Sequence, residues 1–146
     1  MTTKEVLSSS LEDYLEAIFH IVAQKQAARG KDIAQRLGVN NSSVTGALRV
    51  LGEKGLINYA PYDIITLTAA GKRVSEDIVR RHEALHDFFV KVLSVNGEIA
   101  DTAACNMEHA LPPEILWRLI EFLKFLERCP HCLDEFRQEQ TPRDNG

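Results

Sequence analysis

Lys31-Asp-Ile-Ala-Gln-Arg-Leu-Gly-Val-Asn-Asn-Ser-Ser-Val-Thr-Gly-Ala-Leu-Arg-Val-Leu51 is the stretch that decides the fold. Ile33, Ala34 and Leu37 mark one face of a short helix from about Lys31 to Leu37, stopped by Gly38. Asn40 or Asn41 can cap a second helix carrying Val44, Leu48 and Leu51, which runs out at Gly55. Ala34 is small where two helices must cross closely, and Gly38 permits the left-handed residue of a tight turn. Val39, Val44 and Leu48 wedge the pair together. The exposed side of the second helix offers Asn41, Ser42, Ser43, Thr45, Gly46 and Arg49. Short polar groups and one guanidinium therefore sit at a helix N-terminus, the end that enters a major groove and whose free N–H groups favour phosphate. Asn40 is read as a cap rather than a contact. The pattern favours DNA binding over a protein-interaction module.

Upstream, Leu11, Tyr14, Leu15, Ile18, Phe19 and Val22 form a helical stripe after Ser8-Ser9-Ser10, with Ser10 and Asp13 placed for a capping box. Gly30 is expected to end that unit. Downstream, Leu56–Tyr59 and Ile64–Thr68 are short β-rich runs flanking a turn at Pro61-Tyr62-Asp63. Helix, short helix, turn, helix and hairpin is the order of a winged helix-turn-helix. A long helix from Ala69 carries Val74, Ile78, Leu85, Phe89 and Val92 and breaks at Val95-Asn96-Gly97. Further helices cover Glu98–Ala110 and the segment opened by Pro112-Pro113, with Ile115, Leu119, Phe122, Leu123 and Leu126. Trp117, Leu119, Ile120, Phe122, Leu123 and Phe125 make core or a dimer seam. The polar tail after Cys129-Pro130 is expected to fray. The fold class is mainly α: a winged helix-turn-helix with a two-stranded wing over residues 1–72, a helical dimerisation and metal-binding domain over 73–128, and a tail over 129–146.

The 146 residues are 45% hydrophobic and 26% charged, which excludes a disordered, collagenous or disulfide-scaffold chain. Apolar runs are too short to span a bilayer and the N-terminus has no apolar signal core, so no membrane partner is expected. Three cysteines, Cys105, Cys129 and Cys132, cannot all pair internally and point to a reducing cytoplasm. The net charge of −4 hides an uneven split. Residues 1–81 hold 11 basic and 9 acidic side chains, net +2, against 6 and 12, net −6, in residues 82–146. Lys25–Arg81 alone holds 10 against 5, net +5, so phosphate contact belongs to the first part.

Three places concentrate metal-ligand chemistry. Asp13 and Glu16 lie three apart on the first helix, opposite its apolar stripe. His82 and His86 lie one turn apart on the long helix, beside the buried stripe. Cys105, Glu108 and His109 share one face of the next helix, with Asp101 a turn earlier, while Ala103, Ala104, Met107, Ala110 and Leu111 are expected to pack on the other. His82-Glu83-Ala84-Leu85-His86 also matches the zinc-hydrolase signature H-E-x-x-H, with Glu83 as general base and Glu108 as third ligand. That rival leaves the helix-turn-helix unexplained and has no edge strand to hold a peptide. A metal-independent winged-helix regulator is the third class, and it has no use for Cys105, Glu108 and His109. Cys129-Pro130-His131-Cys132 is half of a four-ligand zinc knuckle. Two subunits sharing an ion, recruitment of His131, redox activity and idle thiols all remain open for it.

These residues resemble the metal-dependent repressors related to the diphtheria toxin repressor and the manganese transport regulator. The resemblance runs from about Leu7 to Leu126 and rests on five segments in order: Glu12-Asp13-Tyr14-Leu15-Glu16, Ile33-Ala34 through Ser42-Ser43-Val44-Thr45, Leu67-Thr68 with Gly71, Arg81-His82-Glu83, and Cys105-x-x-Glu108-His109. It implies a homodimeric, metal-dependent repressor that binds a palindromic double-stranded operator and controls metal-homeostasis genes. The shorter, manganese-regulator architecture without an SH3-like domain is the expectation. The ligand pattern is mixed: Asp13 and Glu16 match the manganese type, Cys105 matches the iron type, and Glu108, His109 and His82 fit both. His86 and Asp101 stand where iron-type members place a Glu and a His. The resemblance thus gives a main site of Asp13, Cys105, Glu108 and His109, and a second of His82 and His86 with Glu16 or Asp101. A thiolate beside imidazole and carboxylate suits Fe(II), Co(II) or Zn(II) better than Mn(II); taken with the mixed family pattern, the expectation is Fe(II), with Mn(II) next and Co(II) or Zn(II) compatible. An ion held by Asp13 and by the second domain would fix the spacing of two recognition helices.

Overall fold

Ser8, not Ser10, caps the first helix in the computed structural model, which describes residues 6–60 and 64–140. Its side chain accepts a hydrogen bond from the Leu11 N–H at 3.2 Å, and α1 runs Ser9–Lys25. Leu7 and Leu11 both pack on the core, which draws the first turn ahead of the expected Ser10–Asp13 box. The helix also ends before Gly30. Gln26 takes the left-handed conformation (φ 68°) and donates its N–H to Val22 O, and Gly30 instead opens α2 (Gly30–Leu37). Between them, Ala28 exchanges two 2.9 Å backbone hydrogen bonds with Ile65, leaving no room to prolong α1.

The decisive stretch folds as expected. Gly38 is left-handed (φ 65°) at the end of α2, and Asn40 caps α3 (Asn41–Glu53) by accepting from the Ser43 N–H at 2.9 Å. Strands β1 (Ile57–Ala60) and β2 (Ile64–Leu67) pair antiparallel in the register Ile57↔Leu67 through Ala60↔Ile64. The turn expected at residues 61–63 and the end of the tail, 141–146, lie outside the described residues. Leu15, Ile18, Ile33, Leu48, Leu51, Ile65 and Ile78 form the centre of this unit's core, and each is fully enclosed.

The chain divides into two compact units, Met1–Val79 and Arg80–Gly146, and the division falls within α4 (Ala69–Asp87). In the second unit α4 passes into a π-helical turn, Phe88–Val92, a local widening common near functional sites. Then come α5 (Gly97–Met107), a 3-10 turn (Glu108–Ala110), α6 (Pro113–Arg128) and α7 (Pro130–Glu139). The tail expected to fray is thus a ten-residue helix. Pro130 preorganises its first turn, and Arg137 donates to the Lys91 carbonyl across the unit. Ala84, Leu85, Val92, Ala100, Ala104 and Leu116 are buried here, whereas Ile99, Ile115, Trp117, Phe122 and Phe125 stay exposed. Among the described residues no helix is long and apolar enough to cross a membrane.

Candidate metal centre and nucleic-acid interface

Glu108 anchors the donor cluster of the second unit. Its side chain is completely enclosed, which requires a cation or strong hydrogen-bond donors within reach. It lies one turn beyond Ala104 and two beyond Ala100, both fully buried, so the face of α5 that packs is the one carrying the carboxylate. The sequence pattern placed Met107 and Ala110 on the packed side; both are exposed. The spacing that encloses Ala100 and Ala104 also encloses Glu108, which opens a short 3-10 turn after Met107.

His82 on α4 meets Glu108 directly. Its Nδ1 lies 2.7 Å from Glu108 Oε2, and its Nε2 lies 2.8 Å from Asp101 Oδ1 on α5. An imidazole flanked by two carboxylates is held in one orientation, and only an imidazolium donates to both. Cys105 Sγ approaches the same Nδ1 at 3.7 Å, and the thiol is half-buried. The donor atoms of His82, Cys105 and Glu108 all lie within 4.8 Å of one another. One nitrogen, one sulfur and one carboxylate oxygen in that volume fit a first-row transition ion better than Mg(II) or Ca(II), which take oxygen donors.

The remaining sequence-predicted ligands distribute as follows. His109 Nε2 lies 3.8 Å from Glu108 Oε1. His86 stacks on His82, with ring centroids 6.3 Å apart, and faces Asp87 at 3.9 Å. His82 thus joins Cys105 and Glu108, while His86 is a neighbour outside that trio of donors. Asp13 and Glu16 are on α1 in the first unit, where Asp13 is exposed and Glu16 pairs with His20 at 3.6 Å. Arg81 was not singled out as a site residue by sequence. It donates from Nη1 to the Glu108 carbonyl at 3.0 Å and so helps hold the 3-10 turn. The only sequence signal for it was its place beside His82.

On the first unit, the N-terminal half of α3 presents Asn41, Ser42, Ser43 and Thr45, with Arg49 one turn further, all exposed. Ser42 Oγ donates to Asn40 Oδ1 at 2.8 Å and Thr45 Oγ1 to Asn41 O at 3.0 Å, so both hydroxyls are oriented by the helix itself. Asn40 acts as the cap. Gly46 lies on the same helix, and a Cβ there would meet nothing within 4 Å. No internal packing demands a glycine at that place. In the wing, Asn58 Nδ2 donates to Thr66 Oγ1 at 3.2 Å, and Tyr59 is more than half exposed.

A family model described as the iron dependent repressor N-terminal DNA binding domain matches residues 6–64. Another, the iron dependent repressor metal binding and dimerisation domain, matches residues 68–137. An uncharacterized HTH-type transcriptional regulator of Methanocaldococcus jannaschii is 35% identical over 119 residues, covering 81% of this chain and 95% of the relative. The HTH-type transcriptional regulator MntR of Shouchella clausii is 31% identical over 135 residues, 92% and 94% of the two chains. Among solved structures, that of T. acidophilum IdeR superposes with a TM-score of 0.71 at 27% identity. It covers 77% of this chain, which spans 53% of that one, so the match extends over about half of the longer protein.

Proposed function

Given that this chain belongs to the diphtheria toxin repressor and manganese transport regulator family of metal-dependent transcriptional repressors, we propose that it is a cytoplasmic sensor of a divalent transition ion, Fe(II) before Mn(II). As a homodimer it binds a palindromic operator and controls metal-homeostasis genes. The observation that carries the proposal is the convergence of His82, Cys105 and Glu108, on a chain whose other unit presents an exposed, polar α3 N-terminus. A DNA-binding module alone has no use for an enclosed carboxylate beside a thiol and an imidazole. The exposed apolar side chains of α6, Trp117 and Phe125 among them, support pairing with a second copy.

The bound ion supplies a fixed charge and a preferred ligand geometry. Cys105, Glu108, His109 and His82 are the second unit's donors to it, and Asp13 is the donor the sequence assigns to the first. A ligand drawn from the DNA-reading module makes the ion favour one arrangement of two recognition helices, and DNA binding selects the same arrangement. His82 and His86 belong to this sensing role and not to a hydrolase.

The test uses anaerobically purified protein and an operator selected from a random duplex pool in the presence of metal. Operator affinity is then titrated with Fe(II), Mn(II), Co(II) and Zn(II). Asp13→Ala is expected to remain a folded dimer whose DNA binding no longer responds to metal. A metal response that survives in Asp13→Ala refutes the proposed coupling.

A further inference from the structure

Cys129-Pro130-His131-Cys132 takes no part in the site described above. We propose that Cys129, His131 and Cys132 form a second, redox-gated site for a thiophilic divalent cation, filled in the dithiol state and emptied when the cysteines join as a disulfide. This inference is independent of the sensing function, because it uses none of the same residues.

The three donors lie at the start of α7, with Cys129 at the cap, His131 in the first turn and Cys132 closing it. Cys129 makes no side-chain capping bond to the helix, so in the dithiol state its sulfur is not committed to the cap. His131 is exposed, its Nε2 is 3.4 Å from Cys129 Sγ and 3.7 Å from Cys132 Sγ, and all three donors lie within 4.8 Å of one another. A tetrahedral zinc ion, with Zn–S near 2.3 Å and Zn–N near 2.0–2.1 Å, sets sulfur and nitrogen about 3.5–3.6 Å apart. With the disulfide closed, the His131 ring already stands about this far from both sulfurs, so only the two sulfurs must part to admit the ion. A helix N-terminus also favours anionic sulfur. The chain supplies three donors, and water fills the fourth place because His131 faces solvent.

Cys129 and Cys132 are joined as a disulfide, with Cα atoms 5.5 Å apart. Two thiolates sharing one ion stand about 3.8 Å apart, so ion and disulfide exclude each other. A small-molecule disulfide is the oxidant. The Cys129 thiolate attacks one of its sulfurs and expels one thiolate, giving a mixed disulfide; the Cys132 thiolate then displaces the second. Two electrons pass to the oxidant, two small thiols leave, and the cation returns to solvent. A thiol reductant reverses the exchange.

The experiment takes the full chain, reduced under anaerobic conditions and loaded with Zn(II) alone, and counts zinc per chain by mass spectrometry after desalting. Cys129→Ser/Cys132→Ser is expected to lose one zinc per chain relative to wild type, while His82→Ala retains that ion. Oxidised glutathione should release it from His82→Ala, and reductant with Zn(II) should restore it. Equal stoichiometry in wild type and the double-serine variant overturns the proposal, as does zinc that stays bound through oxidation. Should the double-serine variant fail to fold, Co(II) bound to Cys105→Ala decides. A sulfur-to-cobalt charge-transfer band that vanishes on oxidation supports the site, and absence of that band refutes it.

Discussion

Gly71→Ala probes the joint between the wing and the helix that follows it. Thr68 organises this joint: its hydroxyl donates to Gly55 O at 2.7 Å and accepts from the Gly71 N–H at 3.0 Å, while its own N–H donates to Leu56 O at 3.1 Å. A Cβ on Gly71 would lie 1.8 Å from Leu56 O, 2.8 Å from its carbonyl carbon and 3.3 Å from its Cα. All three are backbone atoms, so no side-chain rotation relieves the clash. A carbon–oxygen contact near 3.3 Å needs the two segments to part by about 1.5 Å, which breaks the Thr68–Leu56 hydrogen bond. Overpacking of this kind costs about 1–3 kcal/mol or more, and the lost bond adds about 1 kcal/mol. Replacing glycine by alanine inside a helix returns about 1 kcal/mol. The expected net loss is about 1–3 kcal/mol, or roughly 4–24 °C in melting temperature for a unit of this size. Thermal unfolding of the reduced, metal-free protein by circular dichroism measures it. A melting temperature within about 3 °C of wild type would show that the approach at Gly71 is not a rigid contact.

Three further outcomes follow from other parts of the molecule. Gly46→Leu fills open space on α3, so it should raise stability by about 0.5–1 kcal/mol yet weaken operator binding; unchanged affinity would remove this face from the interface. Cys105→Asp replaces the one sulfur of the His82–Cys105–Glu108 trio by oxygen and should move activation towards Mn(II) relative to Fe(II); an unaltered metal preference in operator binding excludes Cys105 as a ligand. Trp117→Glu places a charge on an exposed apolar face and should convert a dimer into monomers in sedimentation, whereas an intact dimer would place the seam elsewhere.

The fold was legible in the sequence wherever local chemistry and core packing agreed. Asn40 and Gly38 bound the helices they were expected to bound, and the wing strands begin and end within a residue or two of the β-rich runs. Misreadings came where tertiary contact overrode a local signal. Ser8 caps α1 because Leu7 and Leu11 pack on the core, and Gln26 closes it because Ala28 pairs with Ile65. The tail carries few apolar residues, yet Pro130 and the Arg137–Lys91 contact order it. At the candidate metal centre, spacing singled out each member of the trio. The resemblance groups His82 with His86; in the structure His82 also meets Glu108 and Asp101, a contact between two helices that spacing along either one does not encode.

A sulfur ligand at Cys105 would bear on the choice of metal in a way that affinity cannot resolve. A site with one sulfur, one imidazole nitrogen and carboxylate oxygen binds Zn(II) more tightly than Fe(II), and Fe(II) more tightly than Mn(II), whatever ion the cell uses it for. Selectivity then rests on whether an ion, once bound, imposes the geometry that DNA binding needs. The enclosed Glu108 bears on this, because its side chain has little room to move and Arg81 holds its backbone carbonyl. An ion that satisfies only the second unit's donors is bound without shifting the equilibrium of the DNA-reading unit, since a ligand with equal affinity for both states shifts neither. Zn(II) is therefore expected to bind tightly and activate poorly per ion bound, with Fe(II) binding more weakly and activating more. Operator affinity at saturating metal, rather than metal affinity, is the quantity that separates them, and equal activation by both ions at saturation would show that the geometry does not discriminate.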